Sequence, residues 1–553
     1  MAARWSAIAV AWLVSLSALA AWVLPTPGLA LRRQLTLAQF WSLEICVGLG
    51  LAVSALVLRE LSREISRRDV LLMLVPLTIA AGLTLGMAPR TNRIYYDEQI
   101  YQSIGQNLAD LRRAQFCNDG AIVSGRLQCS SGEYNKQPYA FPHLLSLAFR
   151  LFGVGTAPAF GVNALAMCLS VCVVYLLVVM LFADREAAFL AAVLFALIPE
   201  QIVWSASSAV EPSASLACVA ALLAAACFIR SRSTAALVGT AVGMAYAIQF
   251  RPESLLIVPV VGLLIWQRAP EEIARPRLWW AALLFLALAA VHTGHMVAMR
   301  NEGWGTTEDR LSFRYVAANL RVNGWFYLGD PRFPLTYTLL AALGLAGRRA
   351  EAGRAAVTLY FLLFFGIALL FYAGSYNYGA DVRYSLTTYP PLAILGGLGA
   401  ARAIRAVTRS EPGWLAVGVA VALGAQFWWY VPIVRSTADS AVAARADVQF
   451  AGSLVPDLPA DAYVLTQNPG MFQVWGISAG QISLSLSQPR LRELAARYRG
   501  GVYFHWNFWC NVQDPVQQGF CMKLLELGQG EPVRQQIEHG QHFALYRLKE
   551  PVP

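Results

Sequence analysis

Apolar runs of about 20 residues recur along most of this 553-residue chain, and each run is long enough to cross a bilayer. Only 14% of the residues are charged, against about 25% in a typical soluble protein. A soluble fold of this length could not cover so much apolar surface with so few charges. The sequence therefore predicts an α-helical polytopic membrane protein with about thirteen transmembrane helices.

The arginines predict the orientation of the chain in the membrane. They stand in small groups between apolar runs, which is typical of cytoplasmic loops and unlike the basic domain of a nucleic-acid-binding protein. These groups lie within 59–68, 230–232, 268–277, 348–354 and 402–409. With the N-terminus inside, all of them are cytoplasmic, and the segments 89–156 and 433–553 are extracytoplasmic.

Two domains are predicted, a transmembrane domain over 1–432 with the large outer loop 89–156, and a tail over 433–553. The tail changes character, because short β-prone segments alternate with a helical one. The strands are expected at 462–466, 501–505 and 543–547, and the helix at 491–498. We therefore expect a small extracytoplasmic α/β domain. Residues 141–153 of the loop have the helical apolar spacing of a helix lying in the membrane interface.

Cysteine positions agree with this orientation. Five of the nine cysteines lie in apolar runs, where a free thiol packs as a small apolar residue. Cys117 and Cys129 share the outer loop, and Cys510 and Cys521 share the tail. Two close pairs in polar segments indicate two disulfides in an oxidising compartment. Four free thiols are the alternative.

The acidic pair Asp97-Glu98 is the sharpest candidate for chemistry, and it is flanked by Tyr96 and Tyr101 just after a predicted span. Carboxylates at a membrane surface are costly to dehydrate, so they should face water or a cavity. Neighbours on a helix do not share a face. We therefore expect one acid to face substrate and the other to hold the loop or bind a cation. The alternative is a solvated helix start with acids favoured by the helix dipole.

Two cations in outer segments have the chemistry to bind phosphate. Lys136, one of only three lysines, lies in Lys136-Gln137-Pro138 at the end of the acidic loop. Arg383, followed by Tyr384, lies in a short outer loop, and its guanidinium can bind two phosphate oxygens. The alternatives are a lysine that snorkels at the interface and an ion pair between Arg383 and Asp381.

Other ionisable residues stand in apolar surroundings near the predicted outer face. Glu200 and Glu211 flank a short turn, and Arg251 is followed closely by Glu253. Such residues are functional candidates, although each could equally form a structural pair. A further pair, His292 and His295, could ligate a metal. No third ligand is evident nearby, so packing in the core is the better interpretation.

These motifs together resemble the GT-C superfamily of integral-membrane glycosyltransferases, in particular its aminoarabinose transferases and protein O-mannosyltransferases. The superfamily has an acidic pair in the first large outer loop, then a lysine-proline motif, an interfacial helix and a later arginine-tyrosine. Here Asp97-Glu98, Lys136-Gln137-Pro138, the segment 149–153 and Arg383-Tyr384 occur in that order. The likeness covers roughly residues 70–405.

The resemblance implies a transferase that takes a sugar from a polyprenyl-phosphate donor and passes it to an extracytoplasmic lipid, glycan or protein. Asp97 is the expected base, with Glu98 beside it. Lys136, Arg383 and Arg251 are expected at the donor phosphate. The supporting candidates are Tyr96, Tyr101, Glu211 and Tyr384.

The same resemblance implies a multi-pass protein of the inner membrane that contacts membrane lipids and does not bind nucleic acid. The sequence indicates no particular cofactor and leaves a divalent cation at Asp97 open. A transporter or flippase of lipid-linked sugars, and a polysaccharide polymerase or ligase, are the alternative functions. No paired broken helices or internal repeat favour transport.

Overall fold

The computed structural model describes residues 2–302, 306, 308–346, 351–377, 381–407, 413–437, 441–512 and 514–549, apart from the side chains of 2–4, 381 and 413. The chain forms two compact units. The helical unit comprises Met1–Thr91, Pro138–Phe141 and Phe160–Thr437. The sheet unit comprises Asn92–Gln137, Pro142–Ala159 and Ala438–Pro553.

Helices account for most of the described residues. In chain order they are α1 (Ala2–Val23), α2 (Gly28–Leu61), α3 (Arg67–Gly86), α4 (Tyr95–Leu111), α5 (Ala140–Phe152), α6 (Thr156–Phe182), α7 (Arg185–Ala196), α8 (Pro199–Ser205), α9 (Glu211–Ser231), α10 (Thr234–Ala247), α11 (Ile257–Arg268), α12 (Pro270–Ile273), α13 (Pro276–Ala298), α14 (Val316–Leu328), α15 (Leu335–Leu345), α16 (Glu351–Leu370), α17 (Tyr389–Val407), α18 (Gly413–Phe427), α19 (Val431–Arg435), α20 (Val442–Leu454), α21 (Pro469–Val474), α22 (Gln488–Arg497), α23 (Phe508–Asn511) and α24 (Pro515–Gly528).

Membrane-spanning helices dominate the helical unit. Eight described helices are long and apolar enough to cross a bilayer, and a ninth span results if α7 and α8, bent by 61°, count as one. Leucine and valine side chains on α1, α2 and α18 are exposed, as expected where lipid rather than water covers the helix. The predicted polytopic helical membrane protein is confirmed. The number of about thirteen spans stays a prediction, because α5, α10 and α15 are apolar but short.

A seven-stranded sheet is the core of the sheet unit, in the order β2-β1-β4-β3-β5-β7-β6. The strands are β1 (Phe116–Val123), β2 (Arg126–Glu133), β3 (Tyr463–Thr466), β4 (Ser478–Gln481), β5 (Val502–Trp506), β6 (Glu531–Glu538) and β7 (Gln541–Arg547). Strand β3 pairs in parallel with β4 and β5, and the other pairings are antiparallel.

The predicted C-terminal α/β domain is confirmed, since β3, β5, β7 and α22 fall where the sequence placed three strands and a helix. The hairpin β1–β2 was not predicted. It belongs to the acidic loop, yet Asp119 and Gly120 of β1 pair with Gly480 and Ala479 of β4. The loop and the tail therefore share one sheet.

Both predicted disulfides are confirmed. Cys117–Cys129 closes the hairpin β1–β2, and Cys510–Cys521 joins α23 to α24, each with a Cα–Cα distance of 5.8 Å. The other five cysteines are free thiols, as their apolar surroundings predicted.

Removal of the hairpin disulfide should destabilise the sheet unit. Cys117 and Cys129 lie 12 residues apart, and loops of this size contribute about 2–4 kcal/mol by restricting the unfolded chain. We expect Cys117→Ser/Cys129→Ser to lower the midpoint of thermal unfolding in detergent. The same change at the free, half-buried Cys168 and Cys172 is the control. An equal midpoint for the two double variants would contradict the prediction.

Candidate functional site

The acidic pair lies in the first turn of α4, where the unpaired N–H groups of a helix favour negative charge. Glu98 is fully buried. Its Oε1 accepts hydrogen bonds from the backbone nitrogens of Arg93, at 2.5 Å, and of Ile94, at 2.8 Å. These contacts hold the segment that leads into the helix. The catalytic role expected of Glu98 beside Asp97 stays a prediction.

Asp97 is half-buried and has a different partner. Its Oδ1 accepts a hydrogen bond from Gln137 Nε2 at 3.2 Å. Gln137 Oε1 in turn accepts from the hydroxyl of Tyr101 at 3.3 Å, and the Gln137 backbone nitrogen donates to Asn135 Oδ1 at 3.0 Å. The fold thus brings the acidic pair together with the half-buried Lys136-Gln137 segment.

The sequence analysis named Gln137 only as part of the Lys136-Gln137-Pro138 motif and gave it no role of its own. Only its place next to Lys136 could have pointed to it, because a buried glutamine has no pattern of its own. Tyr96, the other predicted neighbour of Asp97, packs edge-on against Trp509 with ring centroids 4.8 Å apart.

A second group of candidates meets in the helical unit, and we call it the arginine–glutamate cluster: Glu211, Arg251, Glu253, Arg383 and Tyr384. Glu211 begins α9 and is almost fully buried. Arg251 precedes the short 3-10 helix Pro252–Leu256, and Arg383 lies in the 3-10 helix Asp381–Thr388 that leads into α17. Three segments that are distant in sequence therefore meet at the Glu211 carboxylate, which one of them carries.

Both arginines contact the same oxygen of that carboxylate. Arg383 Nε lies 2.9 Å from Glu211 Oε1, and Arg251 Nη1 donates a hydrogen bond to it. Arg251 Nε also donates to Glu253 Oε1. Burial alone would lower the pKa of Arg251, but Glu253 and Glu211 outweigh it and raise that pKa above its ordinary value. Glu211 is thus the counter-ion of two buried guanidinium groups.

Both guanidinium groups lie near the ring of Tyr384. Their carbon atoms are 4.8 Å (Arg251) and 5.0 Å (Arg383) from the centroid of its ring, within the range of cation–π attraction. Arg383 Nη2 also donates to the Tyr384 hydroxyl at 3.3 Å. The ring therefore contacts both arginines of the cluster. The Arg251–Glu253 pair considered in the sequence analysis is present, whereas the side chain of Asp381 lies outside the described residues.

The remaining candidates have local partners. Glu200 Oε2 accepts a hydrogen bond from Trp204 Nε1 at 3.1 Å. His292 and His295 are buried and stacked, with ring centroids 5.7 Å apart, and His295 packs edge-on against Tyr139. Among the described residues, no group of three or more His, Cys, Asp or Glu side chains is arranged to hold a metal ion.

Known structures share this architecture. ArnT from Cupriavidus metallidurans bound to undecaprenyl phosphate superposes with a TM-score of 0.51 at 13% identity, over 86% of this chain and 97% of that chain. Its apo state gives 0.52 at 14%, over 87% and 98%. The archaeal oligosaccharyltransferase AglB from Archaeoglobus fulgidus, in complex with an inhibitory peptide and a dolichol-phosphate, gives 0.50 at 12%, over 88% and 75%.

The chain is thus an integral membrane protein that shares its fold with ArnT and AglB, and the resemblance noted in its sequence is confirmed at the level of the fold. Residues 136–295 match the sequence model of a family described as dolichyl-phosphate-mannose-protein mannosyltransferase. Comparison with curated proteins finds no match.

Proposed function

We propose that this protein is an inverting glycosyltransferase that moves a sugar from a polyprenyl-phosphate donor to an extracytoplasmic acceptor. The observation that carries the proposal is the hydrogen bond from Gln137 to Asp97, which joins a carboxylate to the segment bearing Lys136. Support comes from the fold, which is shared with ArnT bound to undecaprenyl phosphate and with AglB in complex with dolichol-phosphate. The mannosyltransferase family match also begins at Lys136.

We place the reaction on the extracytoplasmic side of the inner membrane. The arginine-rich loops predict this orientation for the acidic loop and the tail. The two disulfides support it, because both lie in the sheet unit and disulfides persist in oxidising compartments. The proposed donor is itself a membrane lipid, so it can reach such a site from within the bilayer.

A sugar on a lipid phosphate already has a good leaving group. In the proposed step an acceptor oxygen bonds to the anomeric carbon while the bond from that carbon to the phosphate oxygen breaks, and the phosphate leaves with the electron pair. Asp97 takes the acceptor proton. Lys136 stabilises the negative charge that develops on the phosphate. Arg251 and Arg383 are the further phosphate-binding residues that the resemblance implies. A guanidinium has five N–H donors, so an arginine paired with glutamate keeps capacity for phosphate.

Inversion is the stereochemistry that the contacts favour. Retention requires a second carboxylate about 5.5 Å across the sugar. Glu98 is buried against the backbone of Arg93 and Ile94, and Glu211 is engaged by two arginines. We assign the acid–base work to Asp97, as the resemblance implies. The acceptor, whether lipid, glycan or protein, and a divalent cation at Asp97 remain predictions of the resemblance.

The function can be tested with the purified full-length chain. Synthetic undecaprenyl phosphates carrying mannose or aminoarabinose would be incubated with it and an extract of cell-envelope acceptors. We expect free undecaprenyl phosphate and a glycosylated product, both detected by mass spectrometry. Envelope lipids and glycans from cells with and without the chain would identify the natural acceptor. Movement of the lipid-linked sugar between leaflets without cleavage would instead establish a flippase and contradict the proposal.

Replacement of Lys136 by Ala should weaken use of the lipid donor. A hydrogen bond to a charged group contributes about 1.5–3 kcal/mol, so we expect KM for the donor to rise about tenfold or more. Lys523→Ala is the matched control, because Lys523 is an exposed lysine of the same unit. Steady-state kinetics with varied donor would measure both variants. Unchanged KM for Lys136→Ala would remove Lys136 from the phosphate site.

A further inference from the structure

A continuous set of buried polar side chains crosses the sheet unit at the carboxyl ends of β3 and β5. His505, on β5, is fully buried, with Nε2 3.1 Å from Asp447 Oδ1 on α20. Its other nitrogen, Nδ1, lies 3.3 Å from Thr466 Oγ1 at the end of β3. The rings of Phe450 and Phe472 flank the imidazole at centroid distances of 6.0 and 5.4 Å. Asp447, His505 and Thr466 therefore form a chain of polar contacts inside an apolar core.

The series of polar contacts divides into two branches at Thr466. Its Oγ1 accepts hydrogen bonds from Asn507 Nδ2 at 3.0 Å and from the backbone nitrogen of Asn468 at 3.4 Å. With two donors directed at it, the hydroxyl is left to donate its own hydrogen to His505 Nδ1. In that tautomer Nε2 carries the ring hydrogen; it lies 3.1 Å from Asp447 Oδ1, a polar contact without the geometry of a hydrogen bond.

The two branches end on Tyr96 and Gln99, which lie one position before and two positions after Asp97. Asn468 Nδ2 donates to Gln99 Oε1 on α4. Asn507 Oδ1 accepts from the backbone nitrogen of Trp509, whose ring packs against Tyr96. One branch therefore holds the residue before Asp97, and the other holds a residue two positions after it.

Close packing at two glycines restricts movement of α4 relative to these contacts. A Cβ atom at Gly470, in α21 next to Asn468, would lie 2.7 Å from Cβ of Ser103 on α4. At a second contact, between α4 and α5, a Cβ atom at Gly105 would lie 2.9 Å from Cβ of Leu145. Both helices approach α4 so closely that only glycine fits, which leaves little freedom for α4 to shift.

An Asp–His–Thr arrangement also occurs in nucleophilic enzymes, but the contacts here oppose that role. A nucleophile must reach its substrate, whereas Thr466 and His505 are both fully buried. The Thr466 oxygen is also occupied by two donors. These contacts are instead those of residues that hold other residues in position.

We propose that Asp447, His505, Thr466 and Asn468 are positioning residues that orient Asp97 for proton abstraction. This inference rests on the proposed function, in which Asp97 is the base. It assigns the C-terminal sheet a part in the reaction, because displacement of a catalytic group by about 1 Å can reduce a rate by up to a hundredfold.

Thr466→Val tests the proposal with little change of shape, since the methyl replaces only the hydroxyl. We expect kcat for the donor that the wild-type chain consumes to fall about tenfold or more, with KM for that donor changed less than about twofold. Thr466→Ser, which restores the hydroxyl, should recover most of kcat. Asn468→Ala should resemble Thr466→Val.

Gln106→Ala is the matched control. Gln106 is also buried on α4 and donates to the Gln473 carbonyl of the tail at 3.2 Å, but far along the helix from Asp97. We expect kcat of this variant to stay near the wild-type value. Equal losses for Gln106→Ala and Asn468→Ala, or normal kcat for Thr466→Val, would overturn the proposal. A wild-type chain without transferase activity would instead contradict the proposed function, so the two failures are distinguishable.

Discussion

Replacement of Asp97 by Asn should abolish sugar transfer while the protein stays folded. Gln137 Nε2 donates to Asp97 Oδ1, and an asparagine oxygen in the same place accepts that hydrogen bond equally well. The amide cannot take a proton from an acceptor hydroxyl. General base catalysis contributes about 10²- to 10⁴-fold, so we expect a loss of that size in kcat. Release of polyprenyl phosphate, followed by mass spectrometry, measures it.

Asp110→Asn provides the comparison on the same helix. Asp110 lies near the other end of α4, where its Oδ2 accepts a hydrogen bond from the Leu127 backbone nitrogen at 2.9 Å. It is remote in sequence from the acidic pair, and we expect its variant to retain near-normal kcat. Full activity of Asp97→Asn, or equal losses in the two variants, would remove Asp97 as the base.

Replacement of Glu211 by Ala should strongly destabilise the helical unit. Arg251 and Arg383 both contact Glu211 Oε1, and all three side chains are largely buried. Loss of the carboxylate leaves Arg383 without that counter-ion and Arg251 with Glu253 alone. Breaking a buried ion pair from one side costs about 3–5 kcal/mol, because the remaining charge cannot regain its hydration.

The midpoint of thermal unfolding in detergent would measure this effect. Glu64→Ala is the control, because Glu64 also pairs with an arginine, Arg230, but both side chains are about 40% exposed. An exposed pair contributes less than about 1 kcal/mol, so its loss should shift the midpoint little. Equal shifts for the two variants would mean that Glu211 is not the main counter-ion of the two arginines.

Much of the fold was predictable because its signals are local. Apolar length identifies a span. Short β-prone segments indicated β3, β5 and β7, a helical segment between β3 and β5 indicated α22, and polar surroundings singled out the two cysteine pairs. The acidic pair was predictable for the same reason, since two carboxylates beside an apolar run require an explanation.

Other parts of the site depend on residues far apart in the chain. Glu211 could have been a second catalytic acid by its sequence alone, and only the contacts with Arg251 and Arg383 show it as a counter-ion. The hairpin β1–β2 has no sequence mark that assigns it to the sheet of the tail. Gln137 and Asn468 are ordinary polar residues until the fold places them at Asp97 and Gln99.

The sequence by itself determined the membrane class, the position of three strands and one helix of the tail, the cysteine pairs and the types of side chain available at the candidate site. These follow from hydrophobicity and periodicity, which act within a few residues of the chain. Only the tertiary structure decided that Glu98 holds the segment leading into α4, that Glu211 pairs with two arginines and that Asp97 accepts a hydrogen bond from Gln137. Those roles are set by desolvation and by hydrogen-bond partners, and both arise when distant segments pack together.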